Sequence, residues 1–417
     1  MNKYIALILS FVMLGGAAAL YAQSDPKPPA FGISFSGYVR TDLIYDSRQT
    51  VNLREGHFLL FPKPESFDKD GRDINAAPSF HMLAIQTRLQ GRITGPEAFG
   101  AKTSGLIEGE FFGMADSDIN GFRLRHAFVK LNWTGTELLL GQYWHPMFIT
   151  ESYPDVVSFN TGAPFLPFNR SPQVRLTQSF GPLTLIAAAV AQRDFVSNGP
   201  DGASSVYARN AALPEFTLRA QYAAKFESES ELLVGLGGDI LTLKPRLATA
   251  AGYKTDETVT SRAGMAYIKL RMRDVTFKAE AVYGGNLHHL TMLGGYGIGA
   301  ITDADKGLES YVPLDTASVW GEIQTNGEAV QGGLFIGYSK NLGAGSAIVG
   351  ANYARGFNID RLFRIAPRVI VNSGKLRLAA EMEYTAAAYG MPDATGAVKN
   401  AKVVANWRIL GAVTYLF

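Results

Sequence analysis

The chain has 417 residues, 39 Lys and Arg against 37 Asp and Glu, and no cysteine. The missing cysteine excludes a disulfide scaffold, a cysteine-ligated zinc site and a thiol nucleophile, and a net charge of +2 argues against a nucleic-acid binder. With 18% charged residues and 44 glycines, the composition suits a glycine-rich β protein with part of its surface away from water.

The first segment has the order of a secretory signal peptide. Asn2 and Lys3 precede an apolar run over 4–20 that ends in small residues, Gly15 to Ala19. Cleavage is expected after Ala22, giving a signal peptide over 1–22 and a Pro-rich tail over 23–30. The rival reading, an N-terminal transmembrane anchor, needs about 20 uninterrupted apolar residues, and the run is too short. No later stretch is long and apolar enough for a membrane helix, and residues 31–417 are expected to form one domain.

That domain keeps a period of two. His81, Leu83, Ile85, Thr87 and Leu89 oppose Gln86, Arg88, Gln90 and Arg92. Val174 and Leu176 alternate with Gln173, Arg175 and Thr177. Phe216, Leu218, Ala220 and Tyr222 alternate with Thr217, Arg219 and Gln221. Leu376, Leu378, Ala380 and Met382 alternate with Arg377, Glu381 and Glu383. Such alternation puts one set on each face of a pleated strand. A two-sheet sandwich would also alternate, but these segments run about 10–15 residues, a length suited to tilted membrane strands. Their connections fall into two alternating classes. Short ones are expected at 95–100, 134–136, 181–182, 227–230, 274, 341–345 and 373–374. Long ones are expected at 47–79, 115–121, 146–171, 197–214, 244–257, 286–316, 356–360 and 390–398. The fold expected is all-β: a transmembrane antiparallel β-barrel of about 16 strands, with tight periplasmic turns and long external loops. Residues 318–325 strain the count. They look like another strand followed by a turn at 325–328, and an even total places them as an extension of the strand ending near Lys340 or as part of the preceding loop. Trp133, Tyr222 and Tyr415 fall near periplasmic strand ends, where an interfacial girdle needs amphipathic rings.

The last strand runs from Trp407 to Phe417, with Trp407, Ile409, Val413, Tyr415 and Phe417 on one face. It resembles the assembly signal of outer-membrane barrels. Phe35-Ser-Gly-Tyr-Val-Arg40-Thr-Asp42, Arg123-Leu-Arg125-His-Ala-Phe-Val-Lys-Leu131, Leu140-Gly-Gln-Tyr-Trp-His-Pro-Met-Phe148 and Arg364-Ile-Ala-Pro-Arg368, followed by Glu381-Met-Glu383-Tyr, extend the likeness over nearly all of the domain. The chain resembles bacterial outer-membrane porins, and within them the DcaP-like and phosphate-selective porins and their relatives in Bacteroidota. It departs from the former in lacking N-terminal coiled-coil heptads and from the latter in lacking a lysine-dense lumen. The resemblance implies a passive diffusion channel in the bacterial outer membrane.

A barrel of this size leaves a lumen that wall side chains cannot fill. The candidate pore-lining residues are Arg40, Asp42, Arg88, Glu108, Glu110, Arg125, Arg175 and Arg219 on the wall. Glu151 and Asp155 belong to the loop over 146–171, where resemblance to general porins implies a constriction loop. Those acids are expected opposite Arg40, Arg88 and Arg125, giving a transverse field. Basic residues outnumber acidic ones on the inward faces, so a weak preference for anionic or carboxylate solutes is expected. Asp116, Asp118 and Asn120 match the start of a calcium loop, although Ala127 stands where a bidentate Glu is needed and these are ordinary turn residues. His288-His289 lacks metal-ligand spacing. His126 and His145 sit in no nucleophile motif. No cofactor and no enzymatic activity are expected. Expected partners are small hydrophilic solutes, outer-membrane lipid and the barrel assembly machinery, with a homotrimer left open and no nucleic acid. The alternative function is a plugged structural or receptor barrel serving an envelope complex.

Overall fold

In a computed structural model, residues 31–226 and 230–417 are described. The expected signal peptide and Pro-rich tail lie outside them. In chain order the first strands are β1 (Gly32–Asp46), β2 (Thr50–Leu53), β3 (Phe58–Pro62), β4 (Ser79–Leu83), β5 (Arg88–Thr94), β6 (Lys102–Glu110), β7 (Arg123–Trp133) and β8 (Thr136–Trp144). They are followed by β9 (Arg170–Phe180), β10 (Leu183–Val190), β11 (Glu215–Lys225), β12 (Glu231–Leu243), β13 (Val259–Arg271) and β14 (Val275–Gly285). The last are β15 (Gly295–Asp303), β16 (Leu308–Thr325), β17 (Val330–Ala344), β18 (Ile359–Ser373), β19 (Leu376–Pro392) and β20 (Val398–Leu416).

Eighteen of these strands share one antiparallel sheet, which closes where β1 pairs with β20, Tyr38 opposite Leu416 and Asp46 opposite Arg408. The ring itself has sixteen members. β4 and β5 are two halves of one wall strand that both pair with β1, broken by a bulge at 84–87. β15 pairs with the upper part of β16 alone, so it rises above the ring as a hairpin.

Alternation sets the facing. On β11, Leu218 is 64% exposed and Arg219 is buried; on β19, Leu378 is 47% exposed, while Glu381 and Glu383 are buried. Exposed apolar side chains therefore line the outside and charged ones the inside, the reverse of a water-soluble barrel. Tyr222 and Tyr415 also face outward, as the girdle reading expects.

One connection differs from the sequence reading. Residues 318–325 are one half of β16, a wall strand paired with both β14 and β17, and 326–329 is the short turn to β17. The short turn expected at 341–345 is instead the external end of β17. There the register shifts by one residue and Gly343 takes a φ of 78°, so the glycine serves a bulge rather than a hairpin. Residues 345–358 then form an external segment clipped to β15 through bridges at Gly294–Arg355 and Gly297–Asn352. The two misassignments cancel, and the count stays even.

The main apolar core lies inside the ring. The hairpin of β2 and β3 packs Phe58, Leu60 and Phe61 against Phe159, Phe165 and Phe168 of the loop over 145–169. Phe58 meets Phe168 edge-on at 5.2 Å, and Phe112 stacks on Phe159 at 4.0 Å. Wall side chains alone cannot fill a ring this wide, so two loops supply the filling.

Candidate functional site: the constricted lumen

The loop over 145–169 is fastened to the wall at nearly every turn. Early in the loop, cations on β11, β13 and β14 hold its carbonyls. Arg219 donates to the Pro146 carbonyl at 3.2 Å, Lys269 to that of Glu151 at 3.0 Å and Lys278 to that of Tyr153 at 3.0 Å. Carboxylates on β16 and β19 then accept its amides. Asp155 N–H donates to Glu322 at 2.8 Å, and the Val157 and Ser158 N–H groups donate to Glu381 at 2.7 and 3.0 Å. Arg40 and Arg364 take the carbonyls of Val157 and Ala163 at 2.6 and 2.8 Å. A loop folded into a lumen buries backbone groups that water would otherwise satisfy, and charged wall side chains take water's place.

The loop follows the wall from β11 round to β19, and one open space lies against the opposite wall. A cavity of about 320 Å³ is bounded there by Tyr38, Arg88, Glu108, Arg125, His126 and Tyr143 of the wall and by Phe148, Tyr153 and Phe159 of the loop. A second cavity of about 350 Å³ is lined by Glu151, Asp155, Lys269, Arg271 and Lys278. Thr150 and Tyr153 border both.

The arginines of the first cavity are held by acids of neighbouring strands. Register places Arg88 opposite Glu110 and Glu110 opposite Arg123. Glu110 accepts from Arg88, Arg123 and Arg125 at 2.9, 2.7 and 2.6 Å, and Glu108 from Arg125 at 2.7 Å. Asp194, in the loop after β10, pairs with Arg123 at 3.0 Å and Arg170 at 2.6 Å. Four arginines thus share three carboxylates. Aromatic faces support the guanidinium groups: Arg88 lies over Tyr38 and Arg125 over Trp144.

The expected residues fall into two groups. Arg88, Glu108 and Arg125 border the first cavity, with Glu110 directly behind them. Arg40 and Asp42 form a pair at 2.6 Å that braces the loop rather than lining either cavity. Arg175 donates to the Trp144 carbonyl and to Gln173, under the start of the loop. Glu151 and Asp155 do not face Arg40, Arg88 and Arg125. Glu151 pairs with Arg219 at 3.5 Å and Asp155 with Lys278 at 2.7 Å, because the loop lies along β11–β16 instead of spanning the lumen. Burial acts to raise both carboxyls, and Arg219 and Lys278 respectively outweigh it, holding each below the usual carboxylate value.

Asp116, Asp118 and Asn120 stay in their external loop. Asp116 accepts the Arg54 N–H at 2.8 Å, anchoring the β2–β3 hairpin. Among the described residues, the group of His, Asp and Glu side chains close enough to share an ion is His145, Glu215 and His289. The sequence reading missed it because its members lie far apart in the chain. It also missed Arg123 as a partner of Glu110, although Arg123 and Arg125 stand two apart on one strand face. Asp194 and the lumenal hairpin carry no local signal.

No protein-family model matches the sequence, and no curated protein does. Solved structures match in fold. The chain is similar to the outer membrane channel DcaP of Acinetobacter baumannii, at 17% identity and a TM-score of 0.68, over 95% of this chain and all of that one. It is similar to OmpT of Vibrio cholerae (12%, TM-score 0.54, 94% of this chain and 99% of that one). It is also similar to an anion-selective porin from Comamonas acidovorans (12%, TM-score 0.53, 93% of this chain and 100% of that one). The sixteen-stranded ring is therefore the fold of the bacterial outer-membrane porins.

Proposed function

We propose that the protein is an outer-membrane porin of the DcaP-like kind, passing small hydrophilic solutes past its constriction loop with a weak preference for anions. The observation that carries this reading is the pair of polar cavities meeting at Thr150 and Tyr153, inside a ring whose outer face is apolar. Solutes pass first between the loop and the β1–β8 wall, beside Arg88, Glu108 and Arg125, then between Glu151 and Asp155 of the loop and Lys269, Arg271 and Lys278 of the β13–β14 wall. Five basic side chains along this path against three acidic ones support the anion preference, and the mutual pairing of most of them keeps it weak. The outward belt meets outer-membrane lipid.

A second reading rests on the aromatic filling by Phe58, Phe159, Phe165 and Phe168. If that filling closes the lumen, the barrel is a structural or receptor component. Conductance of the purified full chain in planar bilayers decides between them. Discrete steps with a reversal potential on the anion side support the porin, and a silent bilayer containing heat-modifiable folded protein supports the plug.

A further inference from the structure

The side chains of His145, Glu215 and His289 meet where the constriction loop leaves the wall, with ligand atoms within 4.8 Å of one another, and Asp239 stands next to Glu215. His145 follows β8, Glu215 opens β11, Asp239 lies on β12, and His289 sits in the turn after β14. All four are buried, His145 completely. The Nε2 atoms of His145 and His289 both point at the same oxygen of Glu215, at 2.9 and 3.0 Å. The other Glu215 oxygen has no hydrogen-bond donor, and the Asp239 carboxylate lies within hydrogen-bonding reach of Glu215. Among the described residues, no lysine or arginine forms an ion pair with Glu215 or Asp239, in contrast to the acids of the first cavity.

We propose that His145, Glu215 and His289 bind a transition-metal dication of the zinc class. Two imidazole nitrogens and one carboxylate are a set of three protein ligands suited to that ion, with a fourth position left for solvent. Bonds of about 2.1 Å place neighbouring ligand atoms about 3.4 Å apart, so the present 2.9 and 3.0 Å spacings open by only a few tenths of an ångström. Metal at Nε2 moves each imidazole proton to Nδ1. At His289 no existing hydrogen bond is given up at Nδ1, which has no partner among the described residues. At His145 the Nδ1 accepts the Met147 N–H at 3.2 Å, so that ring must turn before it ligates. His289 and Glu215 are therefore the primary ligands, and His145 completes the set.

The metal fastens both ends of the constriction loop. His145 is its first residue, and its last residues are tied to the same turn: Phe168 N–H donates to the Leu290 carbonyl at 2.9 Å, and the Asn169 side chain donates to the His289 carbonyl at 2.8 Å. Binding is independent of the solute the barrel passes.

The test is metal content of the full chain, purified without chelator and, separately, refolded in EDTA, desalted and titrated with Zn²⁺ or Co²⁺. About one equivalent per chain is expected, with the visible bands of tetrahedral cobalt. His289→Gln and Glu215→Gln should lose stoichiometric binding, and His145→Gln should weaken it by roughly tenfold or more. Heat-modifiable migration confirms that each variant still forms the barrel. Folded protein that carries no metal in either preparation overturns the proposal, as does retention in folded His289→Gln and Glu215→Gln equal to that of the unchanged chain.

Discussion

Removing the two loop carboxylates, Glu151→Gln with Asp155→Asn, tests whether solutes pass along the loop. Their side chains are 42% and 41% exposed, and both border the second cavity. At roughly 6 Å from an ion at the centre of such a cavity, one carboxylate contributes about 0.7 kcal/mol in a water-like medium. Screening at about 0.1 M salt, where the Debye length is about 10 Å, reduces this to about 0.4 kcal/mol. Each removal favours an anion and disfavours a cation by that amount. The anion-to-cation permeability ratio should then rise about three- to fourfold per substitution and roughly tenfold for the pair. Lys278 keeps Glu322 as a partner and Arg219 keeps the Pro146 carbonyl, so neither is left without a contact. The assay is reversal potential across a planar bilayer with a KCl gradient at low ionic strength. A ratio unchanged within about twofold, or a shift toward cations, would falsify the path between Tyr153 and the β13–β14 wall.

Four further outcomes follow from the same structure. Acid should reproduce the double substitution in the unchanged chain. Both carboxyls are held below their ordinary value, so their charge and its opposition to anions persist above that value and vanish as pH falls through the depressed one; reversal potential measured down to strongly acid pH checks this, and a change confined to neutral pH would contradict it. Leu218→Arg or Leu378→Arg should cost about 2–4 kcal/mol in folding into vesicles, read from the heat-modifiable fraction across urea; a cost near zero would invert the facing. Deleting the β2–β3 hairpin removes Phe58, Leu60 and Phe61 from the lumen, so single-channel conductance should rise, and an unchanged value would place the constriction elsewhere. Glu381→Ala leaves the Val157 and Ser158 amides without their acceptor, at about 1–3 kcal/mol each where water cannot replace it; increased open-channel noise is expected, and a quiet channel would show that the loop does not depend on that anchor.

The fold was legible because membrane β-structure is written locally. Facing follows from a period of two, so Leu218 against Arg219 and Leu378 against Glu381 could be sorted without coordinates. The strand at 318–325 was misplaced because Gly343-Ala-Gly345 has the composition of a hairpin turn, and only pairing with β16 reveals it as a bulge.

What the sequence by itself determined was the ring, the facing of its strands, the inward charges and one of the two loops that enter the lumen. What the tertiary structure alone decided was the pairing of those charges. Partner choice depends on which wall the loop follows, and that is fixed by contacts across more than a hundred residues, such as Lys278 with Asp155 and Glu381 with Val157. The same holds for His145, Glu215, Asp239 and His289, and for the β2–β3 hairpin, whose apolar run reads as an ordinary loop segment until Phe159 and Phe168 are brought beside it. Periodicity records which side of a strand a residue takes. It carries no information about what stands across the lumen, because that neighbour is set by closure of the ring and the course of the loops within it.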